Sequence, residues 1–327
     1  MISKTKKELN TQEIEALCAS AGLTQIENIH PLGAGEFNAV YAFDAGGEAY
    51  ALKIAPSADT PVMTYEKNMM RSELFWYEQL SAHTDVEIPE IVHVDTSRSL
   101  TPSDFFIMRR IPGRQMNETE FTPGERKEAA ALLPGIAAKM HRITGDGFGY
   151  PQNGLHDTWA KALQSMTEAM VRDAAAMGQF CENGEKTLKF IRKHADILEC
   201  VPCRMVNFDL WEANIICERT PNGFRHVMID PERGYWGDPV MDFICLEFGK
   251  PLREKKASLH AYNQLAEQQV TIGRGEEIRF AFAQAYLGII MEVERYYRYV
   301  PGDEGWTRND RVCQYLFDGA FGCLENT

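Results

Sequence analysis

The residues best placed to do chemistry lie in one short stretch, Asn207-Phe208-Asp209-Leu210-Trp211-Glu212-Ala213-Asn214. Sixteen residues further on, an acid closes the apolar run Val227-Met228-Ile229-Asp230. Asp209 is a candidate general base. Asn214 and Asp230 offer two oxygen ligands of the kind Mg²⁺ takes, a hard cation that accepts few protein ligands and completes its shell with water and phosphate. Such a set suits transfer of a phosphoryl group to a hydroxyl, which needs positioning and charge neutralisation more than covalent chemistry. In that scheme Asp209 orients the attacking hydroxyl and finally accepts its proton, while Asn214 and Asp230 hold the metal. Taken singly, each has a plain structural alternative: a helix cap for Asp209, a turn for Asn214, a strand-end cap for Asp230.

A phosphate donor needs a cradle of its own, and candidates lie upstream. In Pro31-Leu32-Gly33-Ala34-Gly35-Glu36-Phe37-Asn38-Ala39-Val40-Tyr41 two glycines let backbone amides come close to an anion, although a glycine pair is equally a turn. Twenty residues after Gly33, Lys53 interrupts the apolar run Tyr50-Ala51-Leu52-Lys53-Ile54. It is either a solvated edge lysine or one that grips the non-transferred phosphates while Gly33 to Asn38 cover them. The second role needs a glutamate from the next helix, and Glu73 stands where that glutamate belongs, with Glu66 as a rival.

These groups need elements to hold them. Asn10 and Glu13 have capping-box spacing ahead of a first helix that Gly22 can close. Ile29 to Phe43 and Glu48 to Ile54 read as antiparallel strands about the turn Asp44-Ala45-Gly46-Gly47. Met63, Met70, Leu74, Tyr77 and Leu80 predict an amphipathic helix over 62–80, and further strands follow at 91–95 and 105–110. Ile111-Pro112-Gly113 breaks the pattern. Beyond it the periodicity predicts helices over 124–143, 157–176, 183–198, 253–272 and 276–298, with a loop and short hairpin at 204–230. The fold class is α+β, with a sheet-rich lobe over 1–111 and a larger, mainly helical lobe over 112–327.

Bulk properties exclude several alternatives. The 327 residues, 44% hydrophobic and 25% charged, suit two packed lobes rather than a disordered or fibrous chain. A net charge of −13 repels nucleic acid and anionic lipid and favours a cationic ligand. No apolar run approaches the roughly 20 residues that cross a bilayer, and the start MISKTKKELNTQ carries no signal-peptide core, so the expected location is cytoplasmic. Among eight cysteines only Cys200 and Cys203 form a CxxC, with no second pair to complete a zinc site.

With these residues in view, the chain resembles the aminoglycoside phosphotransferase family, small-molecule kinases of protein-kinase-like fold that include choline and fructosamine kinase relatives, over about residues 28 to 250. The D-L-x-x-x-N of Asp209 to Asn214, the strand ending Ile229-Asp230 with Glu232, the segment Gly237-Asp238-Pro239-Val240-Met241-Asp242-Phe243, and Asn38-Ala39-Val40-Tyr41 carry the likeness. The resemblance implies that Phe105 to Gly113 connects the lobes and binds adenine through main-chain groups of Arg109 and Ile111, with Met108 at the back of the pocket. It implies structural roles for Asp238, Asp242 and His141. One departure stands out: the family's His-Gly before the catalytic aspartate is Asn207-Phe208 here.

The resulting expectation is an ATP- and Mg²⁺-dependent transfer of the γ-phosphoryl group to a hydroxyl of a small polar molecule, with no nucleic-acid or membrane partner. Asp209 is the catalytic residue; Gly33, Gly35, Asn38, Lys53, Glu73, Met108, Arg109 and Ile111 bind nucleotide; Asn214 and Asp230 bind metal. Acids and aromatics gathered near Glu292, Glu294, Tyr296, Tyr297, Asp303, Glu304 and Trp306 suggest a cationic acceptor. A nucleotide-binding pseudokinase and a protein kinase are the competing classes, the latter disfavoured because Asp230 is followed by Pro231-Glu232 with no D-F-G to A-P-E segment.

Overall fold

The computed structural model describes residues 4–33 and 35–327. Asn10 caps α1 (Thr11–Ser20): its Oδ1 accepts the Glu13 N–H at 3.0 Å, and Glu13 Oε2 accepts the Asn10 N–H at 2.8 Å, the reciprocal pair expected from the sequence. α1 packs on a five-stranded antiparallel sheet of order β1-β2-β3-β5-β4, built from β1 (Glu27–Pro31), β2 (Ala39–Ala45), β3 (Glu48–Ile54), β4 (Ile91–Asp95) and β5 (Phe105–Arg109). Ala45 pairs with Glu48, so Gly46-Gly47 alone turn the β2–β3 hairpin, both at positive φ. Ile14, Leu17, Phe43, Leu52, Ile54, Phe105 and Ile107 form the core between sheet and helix.

The helix predicted over 62–80 begins later: α2 runs Met69–His83, and residues 64–66 make a separate short turn. Tertiary anchors override the periodicity here. Asp173 accepts from the Thr64 N–H and hydroxyl, both at 2.7 Å, and the left-handed backbone of Asn68, φ 57°, separates turn from helix. One side of α2, through Met70 and Tyr77, meets Phe106 of the sheet; Trp76 and Leu80 join the core of the helical lobe. α2 therefore joins the two cores.

The chain leaves the sheet through Ile111-Pro112-Gly113 and immediately pairs β6 (Arg114–Gln115) with β8 (Ile215–Thr220), which pairs with β9 (Gly223–Met228). β7 (Arg204–Val206) pairs with β10 (Tyr235–Gly237). Around these small ribbons lie α3 (Pro123–Met140), α4 (Trp159–Ala176), α5 (Glu182–Lys193), α6 (Ala195–Glu199), α7 (Lys256–Leu265), α8 (Arg274–Arg298) and α9 (Glu304–Leu324). The helix predicted over 183–198 is thus broken at His194. That over 253–272 ends at Leu265, because both ends of the Asn263 amide bond the Val270 backbone, at 2.8 and 2.9 Å, and hold the following residues as a loop. α9 was not anticipated as a periodic stretch, since Gly305, Gly319, Gly322 and Asn309 depress its helix propensity. Packing forms it: a side chain at Gly288 of α8 would collide with Phe317, so the bare helix surface there is what admits that ring.

The connector fixes the relation of the two lobes. Gly113 has φ +127°, and a Cβ there would lie 2.3 Å from the Cys217 carbonyl oxygen of β8. Gly113→Ala is expected to cost about 1–3 kcal/mol in urea unfolding from backbone strain and displacement of β8, whereas Gly124→Ala, which meets nothing within 4 Å, should be near neutral.

Candidate active site

The loop that carries Asp209 is organised by a buried carboxylate. Asp242, in the turn Pro239–Ile244, accepts the backbone N–H groups of Asn207 at 3.1 Å and Phe208 at 2.6 Å, and lies 3.0 Å from His141 Nε2. His141 Nδ1 is 2.9 Å from the Tyr262 hydroxyl, so His141 is a packed structural group and not a catalyst. Asp238 plays a parallel part, accepting from Val240 N–H at 3.1 Å and pairing with Arg279 at 2.8 Å.

The Asn207-Phe208 departure leaves this frame intact. Asn207 Oδ1 accepts the Asp209 N–H at 2.8 Å, which fixes where the aspartate emerges. Phe208 has φ 60°, the left-handed region that favours glycine, at a cost of roughly 1–2 kcal/mol. Its ring is fully buried with centroids 5.5 Å from Tyr235 and 5.7 Å from Tyr286, and burial of a phenylalanine, worth about 1.5–3 kcal/mol, offsets that strain.

Asp209 and Asn214 are joined directly: Asn214 Nδ2 donates to the Asp209 carbonyl at 2.9 Å and approaches its Oδ2 at 3.4 Å. That leaves Asn214 Oδ1 as the atom able to ligate. The Ile229 N–H donates to the Asn214 carbonyl at 2.9 Å, which sets the catalytic loop beside the strand end bearing Asp230. Asp230 is itself left-handed, φ 56°, and donates its N–H to the Tyr77 hydroxyl oxygen at 3.1 Å. Burial pushes the Asp209 carboxyl up to about 6, with Glu232 and Asp230 adding to the rise and Arg233 opposing it. The side chain keeps 31% of its surface open, so water relieves part of that rise.

Lys53 is the centre of the other half. Its Nζ lies 2.7 Å from Glu73, 2.6 Å from Asp230 and 3.1 Å from Glu232, and its side chain is only 3% exposed. The solvated-edge alternative is therefore wrong. So is the rival partner: Glu66 accepts the Met63 N–H and pairs with Arg298, on the far side of the break at Asn68. Burial pushes Lys53 down, but the three carboxylates outweigh it and hold the ammonium charged. Burial and crowding by Asp230 and Glu232 push Glu73 up against the pull of Lys53.

Three acids thus surround one base. Glu73, Asp230 and Glu232 present oxygens within 4.8 Å of one another, a hard-donor set of the kind Mg²⁺ takes, and Glu73 Oε1 is buried without a hydrogen-bond partner. The residues therefore fit a divalent cation, with Asp230 common to this cluster and to the pair inferred from sequence. Asn38 Nδ2 donates to Glu232 at 2.6 Å, tying the end of the glycine loop to the cluster. Gly33 and Gly35 flank Ala34, which lies outside the described residues. Met108 pairs with Ala51 across the sheet. The Arg109 N–H is taken by the Glu90 carbonyl at 2.9 Å, and Ile111 lies two residues further along the connector.

Sequence reasoning missed Arg233, whose Nε is 3.7 Å from Asp209 Oδ2, and Tyr77 behind Asp230. A cation three residues after a candidate metal ligand was the available signal for Arg233; nothing local marks Tyr77. The proposed cation-holding face needs correction. Glu294 is buried and paired with Arg298 at 2.9 Å and Arg233 at 3.3 Å, and Glu292 accepts from Asn183 at 3.0 Å. The guanidinium of Arg295 already occupies the Tyr296–Trp306 pair, 5.2 and 5.0 Å from the two rings. The face carries its own cations.

A sheet lobe holding a buried lysine–glutamate pair, joined by a connector to a helical lobe with an aspartate loop, defines a protein-kinase-like phosphotransferase. The model of the phosphotransferase enzyme family (APH) matches residues 28–285, and the chain belongs to this family, as a small-molecule kinase. Solved structures share the fold. A Ralstonia eutropha JMP134 protein assigned as an aminoglycoside phosphotransferase aligns with TM-score 0.64 and 15% identity, covering 98% of this chain and 99% of its own. A Haemophilus somnus 129PT protein assigned as a fructosamine-3-kinase gives 0.65 and 15%, over 93% and 97%. A thermostable mutant of aminoglycoside phosphotransferase APH(4)-Ia, in ternary complex with ADP and hygromycin B, gives 0.61 and 16%, over 96% and 98%. Comparison with curated proteins by sequence gave no match.

Removing the central cation should expose the charge imbalance. Lys53→Met is expected to cost about 3–5 kcal/mol in urea unfolding at pH 8, since it leaves a buried carboxylate uncompensated. The raised folded-state affinity of Glu73 for a proton means the loss shrinks as pH falls, so unfolding at pH 5.5 should show a smaller deficit than at pH 8.

Proposed function

We propose that this protein transfers the γ-phosphoryl group of ATP to a hydroxyl of a small polar molecule, with Mg²⁺ as cofactor and Asp209 as the base. The observation that carries the reading is the convergence on Lys53: Glu73 from α2 and Asp230 from the end of β9, 177 residues away from the lysine, meet one ammonium beside the Asp209–Asn214 pair. The ADP and hygromycin B held by the APH(4)-Ia complex support a nucleotide and a small acceptor on this fold.

In this reading the lobe of residues 1–111 binds the nucleotide and that of 112–327 the acceptor. Lys53, held by Glu73, grips the non-transferred phosphates, and the backbone from Gly33 to Asn38 covers them. The carbonyl of Arg109 and the main chain at Ile111 receive the adenine, with Met108 behind it. Asn214 Oδ1 and Asp230 would hold Mg²⁺, Glu232 lying beside them; the metal supplies charge neutralisation for the phosphate oxygens. Asp209, its backbone fixed by Asn207, accepts the hydrogen bond of the incoming hydroxyl and then its proton at a carboxylate oxygen. Arg233 stays beside that carboxylate and keeps it anionic against the burial that raises it. The Phe208 substitution does not dislodge Asp209, which favours an active enzyme over a pseudokinase.

The test is ADP release from Mg·ATP in the presence of amino alcohols, sugars and aminoglycosides, with the phosphorylated product confirmed by mass. Asp209→Ala should bind Mg·ATP like the parent and lose about 10²–10⁴ in kcat; full turnover in that variant would remove the mechanism. Because Asp209 must be ionised to take a proton, kcat should fall as pH drops through about 6, and a profile flat from pH 5 to 8 would contradict its role.

A further inference from the structure

The glycine loop carries an acid where it is least welcome. Glu36 lies three residues beyond Gly33, in the segment that covers the triphosphate in the function proposed above, and a free carboxylate there would repel the phosphates. The structure turns it outward. Both Glu36 carboxylate oxygens lie 3.2 Å from the Arg308 guanidinium of α9, and the Tyr299 hydroxyl donates to the same carboxylate. Arg308 also donates to the Tyr299 oxygen at 2.9 Å, so the three groups close on one another. The amino-terminal segment reinforces the contact: the Thr5 hydroxyl donates to the Glu36 carbonyl at 3.2 Å, and Lys4 Nζ to the Tyr299 carbonyl at 3.1 Å.

The next residue extends the connection inward. Phe37 is buried with the Arg298 guanidinium 5.4 Å from its ring centroid. Arg298 is gripped by Glu66 and Glu294, and Glu294 also holds Arg233, the group beside Asp209. A continuous chain of side-chain contacts therefore runs from the loop that covers the phosphates to the carboxylate that meets the hydroxyl.

We propose that Glu36, Tyr299 and Arg308 form a latch that positions the glycine loop against the helical lobe, and that Arg298 and Glu294 pass the loop's position to Arg233 and so to Asp209. Burial divides the labour. The inner pairs Arg298–Glu66 and Arg298–Glu294 are desolvated, whereas the Arg308 side chain is 46% exposed, so the outer link is weak and breakable. This outer link is the one that can open without unfolding the core. The side chains of Glu36, Tyr299, Arg308, Arg298 and Glu294 act in this scheme as positioning groups.

The inference rests on the proposed function only for its consequence, and the test separates the two. Amide hydrogen exchange of residues 35–38 in the full protein without nucleotide should rise about two- to five-fold in Arg308→Gln, the factor an exposed ion pair supports, with the thermal midpoint unchanged. Mg·ATP should bind two- to five-fold more weakly in the same variant. Arg308→Glu should do more on both counts, and the charge-exchanged Glu36→Arg/Arg308→Glu protein should return towards the parent. Unchanged exchange in Arg308→Gln, or a charge exchange no better than Arg308→Glu alone, overturns the latch. If the parent protein binds no Mg·ATP, the proposed function fails, and the exchange measurement still decides the latch.

Discussion

The structure depends on one buried ammonium. Taking Lys53 out of water costs several kcal/mol, and the cost is met only because carboxylates from three separate places reach it: Glu73 on α2, Asp230 after β9, and Glu232 in the following turn. Each of those placements is demanding. α2, which begins at Met69, must present Glu73 to the sheet, the segment after β9 must hold Asp230 in the left-handed region, and the two lobes must close to hydrogen-bonding distance. The arrangement sets three carboxylates against one ammonium at its centre.

A second buried charge does for the catalytic loop what Lys53 does for the cleft. Asp242 spends its oxygens on two backbone N–H groups and a histidine, so the loop's conformation is set from beneath by the turn at Pro239–Ile244. That explains why a residue pair as different from His-Gly as Asn-Phe is compatible with the loop. The backbone demand, a left-handed residue followed by an aspartate, is imposed by Asp242; the side chains at 207 and 208 need only avoid conflicting with it. Asn207 adds a bond to Asp209, and Phe208 trades conformational ease for aromatic packing.

Local chemistry was legible in the sequence, and long-range pairing only where a motif carried it. The capping box at Asn10, the glycine hairpin and the strands of the amino-terminal lobe follow from neighbours a few residues apart, and the Lys53, Asp209, Asn214 and Asp230 set was assembled from spacing shared with a known motif. Glu66 and Glu73 could not be separated because both fell on one predicted helix; only the anchoring of Thr64 by Asp173, 109 residues away, breaks that helix between them. Arg298 was invisible for a related reason: its partner Glu66 lies 232 residues off, and an arginine at the end of a predicted helix carries no mark of burial. Arg233, whose partner Glu294 lies 61 residues off, was marked only by its spacing from Asp230.

The same pairing changes what the net charge of −13 means. Several acids of the helical lobe and the glycine loop are already paired: Glu294 holds two arginines, Glu66 one of the same two, Glu36 a third, and Asp310 holds the Arg295 that fills the aromatic pair. Of these guanidiniums Arg298 is the most deeply buried, and stripping it of Glu66 and Glu294 would leave an uncompensated charge in the interior. The arginines of this face are held by the protein's own carboxylates, and the excess of carboxylate over cation lies deeper, around Lys53.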